Sequence, residues 1–170
     1  MKNCMSHKFG IYGPTFEEYT ARFQDIDLKV SKNDGFSYAH EDIMDLSKQN
    51  DGVILINPDN PTGNFIDYDG IIKILEEFKL SKKILVLDES FLDFADNGFN
   101  SSVIKKSVLI KFSNLIVINS IGKCFGIGGL RLGVLASSNK ELITKIKKDI
   151  SIWNINSVSE FYLQIISKYY

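Results

Sequence analysis

The sequence predicts an α/β fold: a three-layer, mostly parallel sheet with helices on both faces. Three observations predict it. Short apolar runs enriched in β-branched residues alternate with segments of helical periodicity from end to end, and polar breaks separate them. The chain has 170 residues, 44% apolar and 24% charged, which is enough to bury a substantial core. Alternation of this kind lays strands side by side with helices packed against each face of the sheet.

Taken in order, strands are expected at 8–12, 27–30, 52–56, 83–87, 115–119 and 132–136, and helices at 15–23, 41–48, 68–78, 140–150 and 158–168. The runs Gly52-Val-Ile-Leu-Ile56 and Ile84-Leu-Val-Leu87 are apolar without alternation, as strands buried on both faces are. Asp67 can cap the helix that follows it by accepting from backbone N–H groups that have no partner in the first turn, and Asn139 or Ser138 can do the same for the next. No internal repeat, low-complexity tract or Pro/Gly/Ser-rich linker is present, so residues 1–170 read as one domain.

Composition narrows the function. A formal charge of −1, with lysines scattered at helical spacing, argues against nucleic acid as a partner. The cysteines are Cys4 and Cys124 and the histidines His7 and His40, too few for a disulfide framework or a zinc knuckle. The polar start, with no apolar signal region and no run of about eighteen apolar residues, predicts a cytoplasmic chain that does not engage a membrane. Only two arginines occur, Arg22 and Arg131. Arg22 reads as a solvated charge on a surface helix, whereas Arg131 sits in a glycine-rich segment where its planar fork suits a phosphate or carboxylate.

The chemistry-bearing residues follow apolar runs. Ligands of parallel sheets gather beyond the carboxyl ends of the strands, so Asn57-Pro-Asp-Asn60-Pro-Thr-Gly63, Asp88 and Ser120-Ile-Gly-Lys123-Cys-Phe-Gly-Ile-Gly-Gly-Leu-Arg131 can converge on one rim. Lys123 is the candidate nucleophile, since a deprotonated lysine attacks an aldehyde to form a Schiff base. Ser120 and Arg131 supply a hydroxyl and a bidentate cation for a phosphate, and the glycines let the backbone approach it. Asp88, at the tip of a buried run, can pair with a protonated ring nitrogen. Asn60 can donate to a phenolic oxygen, and Phe16 can cover a ring face. This set fits pyridoxal 5'-phosphate. Each residue also has an ordinary reading, as solvated charge, helix cap, turn or core. The rival motifs are incomplete: no G-x-x-x-x-G-K-[ST] loop accompanies Asp88-Glu89, Gly126 to Arg131 fails G-x-G-x-x-G at its last position, and Ser120-Ile-Gly-Lys123 lacks the partners of the S-x-x-K enzymes.

Taken together, NPDNPTG, LVLDESF and SIGKCFGIGGLRLG resemble the large domain of class I/II aminotransferases, the pyridoxal phosphate enzymes related to aspartate aminotransferase. The resemblance runs from about Pro14 to the C-terminus in the expected order. Within that family GPTFEEY, DESFLDF, GGLRLG and WNINSVSEFYLQ are most similar to histidinol-phosphate aminotransferase and threonine-phosphate decarboxylase. The resemblance implies that Lys123 carries the cofactor, Asp88 binds the pyridine nitrogen, Asn60 the ring hydroxyl, Ser120 and Arg131 the phosphate, and that Phe16 stacks on the ring. It also places Asn156 where relatives approach the substrate, an amino acid or amino phosphate, and implies a homodimer with its site between subunits.

Departures accompany the resemblance. Phe91 stands where aminotransferases usually have a tyrosine, as in the decarboxylase-like branch, and Gly122 stands where many relatives have serine or threonine. The N-terminal segment and the C-terminal small domain of relatives have no counterpart, and no arginine follows Arg131. The expectation is therefore a catalytic-core fragment of an aminotransferase, with a threonine-phosphate decarboxylase-like enzyme and a catalytically inactive truncated remnant as alternatives.

Overall fold

A computed structural model of the chain describes residues 7–23, 25–96, 98–166 and 168. Its centre is a six-stranded sheet of β1 (Phe9–Gly13), β2 (Ile26–Val30), β3 (Gly52–Ile56), β4 (Ile84–Asp88), β5 (Leu115–Asn119) and β6 (Val134–Ala136), in the order β2-β1-β3-β4-β5-β6. The first five strands pair in parallel, and β6 runs antiparallel to β5. The helices are α1 (Glu17–Arg22), α2 (His40–Ser47), α3 (Tyr68–Leu80), α4 (Gly98–Ser101), α5 (Lys106–Lys111), α6 (Ile121–Cys124), α7 (Lys140–Asp149) and α8 (Ser157–Ile166). The mostly parallel sheet and its helices agree with the expected class.

Strand periodicity builds two cores, one on each face. Val53, Leu55, Leu85, Leu87, Leu115 and Val117 pack against Ile43 and Leu46 of α2, Ile71, Ile74, Leu75 and Phe78 of α3 and Val108 of α5. The intervening residues Ile54, Ile56, Val86 and Ile116 point the other way, toward Tyr19 of α1 and Leu142 of α7. In α3 the buried positions fall at the spacing of one helical face. Complete burial of Phe78 contributes about 2–3 kcal/mol. At the start of β3 the backbones close up: a Cβ on Gly52 would lie 2.4 Å from the Ile84 carbonyl oxygen.

The expected caps are in place. Asp67 Oδ1 accepts from the Gly70 N–H at 2.9 Å, and Asn139, not Ser138, caps α7 by accepting from the Leu142 N–H at 3.0 Å. Several boundaries differ from the sequence reading. β4 extends to include Asp88, β6 begins only at Val134, and α5 joins β4 to β5 where no helix is expected. α5 is short, starts with lysines and has no side-chain cap, so it lacks the signals that mark a helix in sequence. The helix expected at 158–168 crosses residue 167, which lies outside the described residues, as does Cys4. Among the described residues no helix is long and apolar enough to cross a membrane.

Candidate active site

The carboxyl ends of β1, β3, β4 and β5 form one rim. Asp88 stands between Ile56 and Ile118 in register, and the ladder continues past the strand ends through Asn57 N–H to the Asp88 carbonyl and Glu89 N–H to the Ile118 carbonyl, both 2.8 Å. Because β6 is antiparallel, its beginning, at Val134 opposite Asn119, lies on this same rim. That reversal delivers Arg131 to the edge that the other strands reach with their ends.

Asp88 is buried. Its Oδ1 accepts from the Ser90 N–H at 2.8 Å, and its Oδ2 accepts from the Tyr19 hydroxyl at 2.5 Å. Tyr19 lies on α1, in the core. Burial, reinforced by the Asp88 charge, pushes its phenol well above the ordinary range, so the hydroxyl is a donor at any working pH. Phe16, at the N-terminal end of α1, is 41% exposed, with its ring centroid 6.5 Å from that of Tyr19.

Lys123 lies on the single-turn α6, where its N–H donates to the Ser120 carbonyl at 3.1 Å. Its Nζ stands 4.5 Å from the Phe91 ring centroid and 5.8 Å from that of Phe16, close enough for the ring faces to attract the ammonium. No ion pair holds it among the described residues. Phe91 leads to a cleft of about 480 Å³ lined by Asn60, Pro58, Pro61, Phe65 and Phe94.

The turn carrying Asn60 is held from within. Buried Asn57 donates from Nδ2 to the Ile66 carbonyl and accepts at Oδ1 from the Ile66 N–H, both at 2.8 Å. Buried Asp59 accepts from the hydroxyls of Thr62 at 2.6 Å and Thr15 at 2.9 Å. Burial pushes its carboxyl up, and those two hydroxyls pull it partly back. Since Thr15 precedes Phe16, Asp59 ties the loop that carries Phe16 to the Asn60 turn.

Ser120 and Arg131 line a second cleft, of about 560 Å³, with Gly122, Gly128 and the α7 residues Ile143, Ile146 and Lys147. Arg131 is exposed, in the left-handed region at φ 58°. The loop folds tightly on itself: Ile127 N–H donates to the Gly122 carbonyl at 3.0 Å, and a Cβ on Gly122 would press on Gly128 Cα at 3.3 Å. Glycine at 122 is thus matched to the close approach of its own loop.

The expected residues therefore fall into adjoining groups: Asp88, Phe16 and Lys123 linked through Tyr19 and Phe91, Asn60 beside Phe91, and Ser120 with Arg131. Asn156 is employed differently. Its Oδ1 accepts from the Ser159 N–H at 2.9 Å, capping α8, and its Nδ2 donates to the Leu130 carbonyl at 3.1 Å. It fastens α8 to the residue before Arg131. The sequence reading assigns no site role to Tyr19, Asp59 or Glu89. Glu89 accepts from the Val103 N–H at 2.8 Å and the Ser102 hydroxyl at 2.7 Å, and burial pushes its carboxyl up. Among the described residues no cluster of His, Cys, Asp and Glu can hold a metal ion.

Comparison with known proteins places this arrangement. The family described as aminotransferase class I and II matches over residues 6–168. An L-serine phosphate decarboxylase of Campylobacter jejuni is 33% identical over 97% of this chain and 44% of its own length. A histidinol-phosphate aminotransferase of Ruminiclostridium cellulolyticum is 30% identical over 85% of this chain and 38% of its own. The crystal structure of the histidinol-phosphate aminotransferase from Clostridium acetobutylicum superimposes with a TM-score of 0.76 at 27% identity, over 91% of this chain and 46% of that one. The chain thus spans less than half the length of each of these relatives.

Proposed function

Because the chain belongs to the class I and II aminotransferases, we propose that it is the pyridoxal phosphate-binding core of an aminotransferase that moves an amino group between an amino acid or amino phosphate and a keto acid. The observation that carries this reading is Lys123, an ammonium flanked by the rings of Phe91 and Phe16 and free of ion pairs among the described residues, on the loop that also carries Ser120 and Arg131. The donor set suits the cofactor: a buried carboxylate at a strand tip for the ring nitrogen, an amide for the ring hydroxyl, and an exposed guanidinium beside a hydroxyl for the phosphate.

In this reading Lys123 Nζ holds the aldehyde carbon, Asp88 the ring nitrogen, Asn60 the ring hydroxyl, Ser120 and Arg131 the phosphate, and Phe16 covers the ring. When bound, pyridoxal phosphate supplies an aldehyde that takes up amines and a ring that withdraws electrons from the adjacent carbon. Lys123 Nζ, once a substrate amine has replaced it, would be the base that takes the proton from the substrate α-carbon and delivers it to the carbon that had been the aldehyde.

A second reading, decarboxylation of a phosphorylated amino acid, is favoured by Phe91. That ring stands beside Lys123, and by the resemblance it occupies the position where aminotransferases usually have a tyrosine. The 33% identity to the Campylobacter jejuni L-serine phosphate decarboxylase points the same way.

The test is the visible absorption of the purified chain with added pyridoxal phosphate, Lys123→Ala serving as control. A shifted band in the wild type alone supports the cofactor site, whereas free-aldehyde spectra in both eliminate it. Product analysis then separates the chemistries. Keto acid formation supports amino transfer, carbon dioxide release without it supports decarboxylation, and neither leaves a cofactor-binding remnant.

A further inference from the structure

The Tyr19 hydroxyl makes its contact with Asp88 across the rim, from α1. We propose that Tyr19 is a positioning residue for the pyridine end of the cofactor, its phenol fixing the orientation in which the Asp88 carboxylate meets the ring nitrogen; this rests on the pyridoxal phosphate reading above. Asp88 Oδ1 is held by the Ser90 N–H from its own chain turn and Oδ2 by Tyr19 from across the rim. With each oxygen engaged by a different element, the carboxylate plane cannot rotate without breaking one bond. Each oxygen retains acceptor capacity for a further donor.

Tyr19 is itself buried and packed. It packs in the core that contains Phe9, Ile11, Ile54, Ile56 and Val86, and its ring centroid lies 6.4 Å from that of Phe23. Burial and the Asp88 charge keep its phenol protonated, so the hydrogen bond has one polarity only, from phenol to carboxylate. The same short helix begins beside Phe16. One element therefore delivers the residue that covers the ring and the residue that aims the ring-nitrogen partner. Removing the hydroxyl leaves Asp88 Oδ2 buried without its donor, which frees the carboxylate to turn away from the ligand.

The test compares two ligands on wild type and Tyr19→Phe: pyridoxal phosphate and 1-deazapyridoxal phosphate, in which carbon replaces the ring nitrogen. Dissociation constants come from absorption or fluorescence titration, independent of turnover. Tyr19→Phe keeps the ring and its packing, and near-ultraviolet circular dichroism checks the fold. The expected result is about 10- to 100-fold weaker binding of pyridoxal phosphate with the deaza ligand changed less than about 2-fold, because the effect acts through Asp88 on the nitrogen alone. As a second measurement, Tyr19→Phe introduced into Asp88→Asn should add less than about 2-fold, as expected when two residues act as one unit. Equal weakening of both ligands, or no weakening of either, overturns the proposal while leaving the cofactor site standing. If the wild type binds neither ligand and matches Lys123→Ala, the cofactor reading fails and this proposal with it.

Discussion

Raising the pH from 9 to 11 tests the buried phenols directly. Tyr19 and Tyr38 are buried, at 9% and 7% exposure, and in both burial is the chief cause that pushes the phenol well above its ordinary range. Asp88 adds to the shift at Tyr19 and Asp59 to that at Tyr38. In the unfolded chain a phenol has a pKa of about 10, so at pH 11 it is about 90% ionised while the folded ones keep their protons. The native state then binds more protons than the unfolded state, and stability falls as pH rises. The cost per phenol is RT ln(1 + 10^(pH − 10)), under about 0.1 kcal/mol at pH 9 and about 1.4 kcal/mol at pH 11, or about 2.7 kcal/mol for the pair. The assay is urea denaturation of the wild type and of the Tyr19→Phe, Tyr38→Phe double variant at both pH values. Lysine titration and other alkaline effects are common to both proteins and cancel in the difference. The double variant, less stable at pH 9 for want of two hydrogen-bonding hydroxyls, should gain on the wild type by about 2.7 kcal/mol at pH 11. A gap between the proteins that stays constant from pH 9 to 11 would refute the linkage argument.

Three other substitutions probe the scaffold. Asn57→Ala removes both hydrogen bonds to Ile66 and should cost about 2–4 kcal/mol in urea denaturation, with weaker pyridoxal phosphate binding as the Asn60 turn loosens; a cost under about 1 kcal/mol would show that the turn is held by other contacts. Gly52→Ala places a methyl 2.4 Å from the Ile84 carbonyl oxygen and 2.7 Å from the Phe9 ring, so about 1–3 kcal/mol of stability should be lost to strain, and an unchanged melting temperature would contradict the close packing of β3 on β4. Glu89→Gln removes a charge that burial disfavours. Since the Glu89 carboxyl is raised above its usual 4.5, the fold retains a proton that the unfolded chain has released, and the wild type loses stability as pH rises from 4 to 7. The variant should therefore gain relative to wild type over that interval, and a relative loss would contradict the sign.

The sheet was legible because most of its strands are buried on both faces. Gly52–Ile56 and Leu115–Asn119 have the bounds read from sequence, since an apolar run ended by a polar turn marks both limits. Asp88 belongs to β4 although it is charged, because its backbone carbonyl continues the ladder to Asn57 while its side chain is satisfied by Tyr19 and Ser90. The direction of β6 was not legible. It depends on how the loop between Asn119 and Val134 turns back, and parallel and antiparallel strands have the same apolar signature when they are this short.

Phe16, Asn60, Asp88, Ser120 and Lys123 share one property: each follows a buried run closely, so its place on the rim follows from the strand that precedes it. Residues that act across the rim have no such marker. Tyr19 and Asp88 are 69 positions apart, and Thr15 and Asp59 are 44 apart; each pair meets only because β1 lies beside β3 and β3 beside β4. A tyrosine on an amphipathic helix reads as core, which it is, and its hydroxyl becomes informative only when the strand order shows what lies opposite. The strand order therefore does more than collect the candidate ligand-binding groups on one edge. It supplies the hydrogen bonds that orient them, Tyr19 to Asp88 on one side and Thr15 to Asp59 on the other, with Phe16 carried between the two anchors. Loosening the Thr15–Asp59 anchor should disturb ligand binding through Phe16 even though Asp59 is not among the groups assigned to the ligand.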